Sequence, residues 1–289
     1  RQRRQFTTPA VQAQLRYWRG RLQNSSAGVS LVTDHPRPPV QSYRGSRLPL
    51  TVPPMLVCRL RQLARERRAT LFMVLMAAFK ALLWRYTSQR DISIGFPVAN
   101  RDDRDAENLI GLFVNTLVLR TDLSGKSSFR ELLDDVREHC RGALAHQDLP
   151  FDKLVEELQR ERDLSRNPLF QVAFAYQNYA TVQCRVPRLK VEYLDVGSTT
   201  AKFDLTLSLT ERGSGLTGFM EYSSDLFDRA TVARMARHFI ALLRGITAHP
   251  DAPLATVPLL DGAERRKILV EWNNAGGRDF RPPCLHQLS

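Results

Sequence analysis

His146 and Asp148 stand two residues apart in HQDLPFDKL, just ahead of Pro150. A histidine beside a carboxylate can act as a general base with its orienting acid. The same pair also suits a helix end leading into a turn, where both side chains bond free backbone groups. A base further needs a nucleophile or substrate that spacing does not locate. Asn115, in FVNTLVLR, lies among apolar neighbours, so its amide must find partners or cost stability. It can tie neighbouring backbone together or face a solvated channel and a ligand amide, and both uses stay open. Asp163, Arg166 and Asn167 precede Pro168, and a bidentate Arg–Asp pair would fix that turn. Ser165 has no histidine at a telling spacing and no GxSxG around it. His139, His238, His35, His249 and His286 have no companion at metal-ligand spacing, so no metal is expected.

These residues must be held by helices and strands in alternation. Thr8 caps and Pro9 opens a helix to Leu22, with Leu15, Trp18 and Leu22 on one face. The prolines at 36, 38 and 39 keep residues 25–45 irregular. A strand around Arg47–Val52 leads to helices over Pro54–Arg68 and Leu71–Tyr86, the second capped by Thr70 and apolar almost all round. Strands follow at Asp91–Asn100 and Phe113–Thr121, then helices over Ser127–Ala145 and Phe151–Arg160. Further strands are expected at Leu169–Gln177, Leu189–Leu194, Phe203–Thr210 and Leu216–Tyr222, with ERGSG turning the last pair. A long helix over Asp228–Thr247 closes the series. Strict βαβ alternation is missing, so the expected class is α/β in the α+β sense, a mixed sheet packed on helices.

Bulk properties narrow the function. The chain has 289 residues, 43% hydrophobic and 25% charged, as in a globular domain with a real core. The longest apolar run, Leu71–Trp84, is short of a bilayer span and interrupted by Lys80, so no membrane partner is expected. The net charge of +12 is spread along the chain; its dense runs, Arg1–Arg4 and Arg59–Arg68, lack interleaved aromatics, so no nucleic acid is expected. Cys58, Cys140, Cys184 and Cys284 are too scattered for zinc or a disulfide framework, and a cytoplasmic setting is the default.

Three segments, IGLFVNTLVLR (Ile110–Arg120), HQDLPFDKLVEEL (His146–Leu158) and RDLSRNPLFQVAFAYQN (Arg162–Asn178), resemble signatures of the condensation domains of nonribosomal peptide synthetases. The likeness extends through TDHPRPPVQSYRG, Ala69–Arg101, FDLTLSL (Phe203–Leu209) and EYSSDLFD (Glu221–Asp228). The tail, LLDGAERRKILVEWNNAGGRDFRPPCLHQL, resembles the linker toward an adenylation domain. The resemblance implies a chloramphenicol-acetyltransferase-like fold of two lobes with a tunnel between them. There an acceptor amine attacks a donor thioester, both carried on phosphopantetheine arms of carrier proteins, with no cofactor bound directly. The family's amine-positioning histidine belongs to an HHxxxDG segment of the N-terminal lobe, and none of the six histidines here is followed by xxxDG.

By resemblance the chain is therefore the C-terminal lobe, without a catalytic residue of its own and inactive alone. The expected organisation is an N-terminal helix and inter-lobe loop (1–46), the lobe (47–249), and a linker with the start of an adenylation domain (250–289). Asn115, His146, Gln147, Asp148, Arg162, Asp163, Arg166 and Asn167 would line the tunnel or hold the lobe interface. Implied partners are the N-terminal lobe, upstream and downstream peptidyl carrier domains and the adenylation domain. Two other readings compete: a docking module without chemistry, and a complete acyltransferase using coenzyme A with His146 as base. A severed lobe should also expose an apolar interface.

Overall fold

The computed structural model describes residues 8–23, 28–100, 110–125, 127–158, 163–177 and 197–273. Six strands make one mixed sheet: β1 (Gly45–Val52), β2 (Asp91–Val98), β3 (Asn115–Asp122), β4 (Val172–Gln177), β5 (Leu205–Arg212) and β6 (Gly215–Ser223). Their spatial order is β1-β6-β5-β4-β2-β3. The central pairs β5/β4 and β4/β2 are parallel, and the flanking pairs are antiparallel. The β5–β6 hairpin closes on Gly213 and Ser214, with Gly213 at φ 58°, the left-handed position that a two-residue turn needs and glycine takes without strain.

Three strands start later than the sequence pattern predicts, β5 among them at Leu205 instead of Phe203. Strand β3 begins at Asn115 instead of Phe113, because its partner β2 ends at Val98, which pairs with Asn115. Beyond that register Ile110, Leu112 and Val114 are exposed. Strand β4 begins at Val172 instead of Leu169, since pairing with β5 starts at Val172–Leu205 while Leu169 and Phe170 turn into the core. The strand expected at Leu189–Leu194 lies outside the described residues.

Helices α2 (Pro54–Glu66), α3 (Leu71–Thr87), α4 (Phe129–Leu144) and α6 (Arg229–Ala248) pack together against the sheet, with α1 (Pro9–Leu22) and the short α5 (Phe151–Glu157) beside them. The backbone of Met73 donates to the Thr70 hydroxyl, so α3 starts as its cap predicts. Nearly every residue of α3 is buried, Lys80 included. No single described helix is long and apolar enough to cross a membrane; α2 and α3 together reach that length only across a 103° bend.

The stretch after α6 is docked on this body. Leu254 and Val257 are buried, Leu254 N donates to Ser127 O (2.9 Å), and Arg85 donates to the carbonyls of Leu254 (3.1 Å) and Val257 (2.8 Å). A helical turn follows, α7 (Gly262–Arg266), continued by a π-turn over Lys267–Glu271. His238 of α6, buried, holds it: one ring nitrogen meets the Tyr86 hydroxyl at 2.7 Å and the other the Glu264 carboxylate at 2.8 Å.

Candidate functional site

The loop between α4 and α5 carries the residues that looked most like chemistry. Asn115, at the first position of β3, points into this loop. Its Nδ2 donates to the carbonyls of Gln147 (2.7 Å) and Leu149 (2.8 Å). Its Oδ1 accepts from Thr116 N (2.9 Å) and Phe151 N (3.1 Å). All four hydrogen-bonding positions of the amide are filled by backbone, so Asn115 is a clasp that fixes the loop to the sheet edge.

From the other side α1 grips the same loop. Trp18 Nε1 donates to His146 O at 2.9 Å. Gln14 donates to Asp148 Oδ2 (2.9 Å) and accepts from Leu149 N (2.8 Å). The His146 ring stacks on Tyr17, centroids 3.9 Å apart and planes within 3°, while its Nδ1 donates to Gly142 O at 2.8 Å. His146 and Asp148 therefore do not form a dyad: each is committed to a different partner, one to the end of α4 and one to α1. The geometry gives His146 no orienting carboxylate from Asp148; its Nδ1–H is directed to Gly142 O instead.

The second predicted turn also differs in its fastening. Asp163 Oδ1 accepts from Ser165 N at 2.8 Å, and Arg166 reaches the carboxylate only at 3.9 Å, with no bidentate pair. An aspartate followed two residues on by a free backbone N–H closes locally, which makes the guanidinium superfluous. The turn is tied down instead by Arg37, which donates to Ser165 O (3.1 Å) and to Asp204 Oδ1 (3.0 Å), with a second contact from its other terminal nitrogen to Asp204 Oδ2. Arg37 comes from the proline-rich stretch and Asp204 from the start of β5, so one ion pair joins three distant segments. The Asp163 carboxyl is held below its ordinary range by the Ser165 bonds.

These fastenings surround an open cavity of about 680 Å³. Its floor is aromatic: Phe113, Phe151, Phe170 and Phe203, with the Phe151–Phe170 ring centroids 5.7 Å apart and Phe170–Phe203 5.0 Å. Gly95 on β2 makes this floor possible, because a β-carbon there would overlap the Phe170 ring. Exposed Leu112 and Val114 stand at the mouth. Of the residues singled out from sequence, the cavity is lined by Asn115, Asp148 and Asn167. His146, Gln147, Asp163 and Arg166 lie outside its lining, and Arg162 lies outside the described residues. Sequence reasoning missed Tyr43, Asp152, Lys202 and Phe203, which come from three separate stretches of chain. Tyr43, Asp152 and Phe203 lie inside segments that carry the family resemblance and Lys202 just before one, but no periodicity marks any of the four as facing a cavity.

Among the described residues no group of three or more His, Cys, Asp or Glu side chains is placed to hold a metal. Cys58 is free and exposed, Cys140 free and buried, its thiol pushed up to about 12 by burial.

Comparison with known proteins agrees with this architecture. A family profile described as the condensation domain matches residues 1–269. A component of the linear gramicidin synthase of Brevibacillus parabrevis is 52% identical over 262 residues, which is 90% of this chain and 5% of that protein. The chain thus spans a small fraction of the length of the curated relatives it matches. The crystal structure of holo-AB3403, a four-domain nonribosomal peptide synthetase bound to AMP and glycine, superposes with a TM-score of 0.83 at 26% identity, covering 91% of this chain and 21% of the other. The X-domain from teicoplanin biosynthesis superposes with a TM-score of 0.82 at 29% identity, covering 89% of this chain and 59% of the other. The mixed sheet and its helices are those of the chloramphenicol-acetyltransferase-like fold. The chain belongs to the condensation-domain family of nonribosomal peptide synthetases.

Proposed function

We propose that this chain forms the C-terminal lobe of a condensation domain that joins a donor acyl or peptidyl thioester to an acceptor aminoacyl thioester as an amide. Both substrates ride on phosphopantetheine arms of carrier proteins. The aromatic-floored cavity is the part of the tunnel wall this lobe supplies, and its exposed mouth, Leu112 and Val114, faces the other lobe. One observation carries the reading: a family match over residues 1–269 coexists with a sequence that contains no HHxxxDG and extends over 59% of a neighbouring domain. The amine-positioning histidine then belongs to the other lobe. The loops fixed by Asn115 and by Arg37 hold the wall rigid, which is what tunnel residues require to keep two reactants aligned. The tail beyond the docked 250–260 stretch leads toward an adenylation domain.

Amide formation from two loaded carrier proteins tests this directly. The 289-residue chain alone should give no product above the uncatalysed rate. Adding an N-terminal lobe that carries HHxxxDG should restore turnover, and His146→Ala should leave that restored rate within about threefold, as expected of a group that does not touch reacting atoms. Turnover by the chain alone that His146→Ala abolishes would instead establish a self-contained acyltransferase.

A further inference from the structure

The cavity carries two charges that the fold does not use. Asp152, exposed in the first turn of α5, has no hydrogen bond or ion pair from its side chain among the described residues, and neither has the exposed ammonium of Lys202. Two other polar groups of the lining are committed: Asn115 is saturated by backbone, and Asp148 accepts from Gln14. The same cavity is lined by the rings of Phe151, Phe170 and Phe203, which contact one another in turn. An apolar floor with a small number of free polar groups at its edge is the ordinary form of a small-ligand site.

We propose that this cavity is the seat of the amine-bearing substrate, that its aromatic floor takes an apolar or aromatic acceptor side chain, and that Asp152 is the counter-ion of the α-ammonium. The inference rests on the reading of the chain as a condensation-domain lobe. Of the two substrates of amide formation the acceptor must present its free α-amine at the reacting end, whereas the donor's reacting end is an acyl carbonyl. A free carboxylate therefore marks the acceptor's side. Lys202, the sole cation among the described lining residues, sets the side-chain charge: a second cationic group on the acceptor meets repulsion there. Asp152 is thus a specificity-determining and positioning residue. It holds the ammonium while the nucleophilic amine is released by a group of the other lobe.

The probes are the 2-acetamidoethyl amides of phenylalanine, glycine and glutamate, N-acetylphenylalanine 2-acetamidoethyl amide, and pantetheine itself. Each is titrated into the isotope-labelled 289-residue chain while backbone amide shifts are followed. The phenylalanine probe should move the amides of Asn115, Asp152 and Phe203 and bind about tenfold or more tightly than the glycine probe, the discrimination an apolar pocket gives. N-acetylation should weaken binding about threefold, the scale of an exposed ion pair. Asp152→Asn should erase that difference while leaving the rest of the spectrum in place. Phe203→Leu, which keeps an apolar side chain there, should narrow the phenylalanine-to-glycine ratio. Equal binding of phenylalanine and glycine probes, indifference to N-acetylation, or preference for glutamate would overturn the proposal. If pantetheine alone moves the cavity amides under any of those outcomes, the tunnel-wall reading survives its failure. If no probe moves them, both fall.

Discussion

Asn115 and Lys80 are both buried polar side chains, and the molecule treats them in opposite ways. Asn115 is neutral and gives its whole hydrogen-bonding capacity to four backbone groups of one loop and its sheet edge. Lys80 is ionisable and lies at the centre of α3, where its amine donates to Ile92 O at 2.8 Å and Leu119 O at 2.6 Å on strands β2 and β3. Burial lowers its ammonium from the ordinary 10.5 to about 7. A neutral amine has two N–H donors, and two carbonyls take them. The contrast teaches that a buried polar group is cheap when its partners match its neutral valence, and conditional on pH when it must shed a proton to do so.

The comparison breaks most sharply at Asn115. Asn115→Ala should destabilise the fold by about 3 kcal/mol, because two loop carbonyls and two backbone N–H groups lose their partner at once. Urea unfolding measures the loss, and faster amide exchange at Leu149 and Phe151 would place it in the loop. A change under about 1 kcal/mol, with those amides still protected, would show that α1 alone holds the loop. Lys80 should show a pH signature instead. The unfolded chain takes up the lysine proton already below 10.5, while the folded one stays neutral down to about 7. The unfolded state binds more protons in that window, so stability rises as pH increases from 7 to 9, by about 1 kcal/mol per unit. Lys80→Met should flatten that slope. An unchanged slope would put the titration elsewhere.

How far the sequence revealed these roles depends on whether a role is local. Helix α1 and its buried face Leu15–Trp18–Leu22 follow from an N-terminal proline and a 3.6-residue period within about fifteen positions, while Thr8 takes the N-cap position without the side-chain cap bond expected of it. Asn115 was legible as an oddity among apolar neighbours, while its loop partners, more than thirty residues away, were not. The same holds for Arg37, whose meaning needs Ser165 and Asp204 brought to it by the sheet. Lys80 was noticed as a break in an apolar run, which misses that the run's burial is what neutralises it. The cavity was the least legible feature: Tyr43, Asp152 and Lys202 share no motif and meet only because the β1 approach, α5 and the β5 entry end at one rim.

The smallest expected effect concerns His146, and it separates a residue that looks catalytic from one that packs. The ring is used through its face on Tyr17 and one N–H to Gly142 O. A phenyl ring can keep the first contact and must forfeit the second. His146→Phe should therefore cost about 1 kcal/mol, the worth of a single hydrogen bond, and His146→Ala more, since it also removes the stack and uncovers Tyr17. A catalytic imidazole would rank the two substitutions differently, because neither side chain moves a proton and both would abolish turnover alike. With the complementary lobe present, turnover near that of the unaltered protein in both variants, together with graded losses in unfolding free energy, is the pattern that packing predicts. Equal loss of turnover with little change in stability would return His146 to the chemistry.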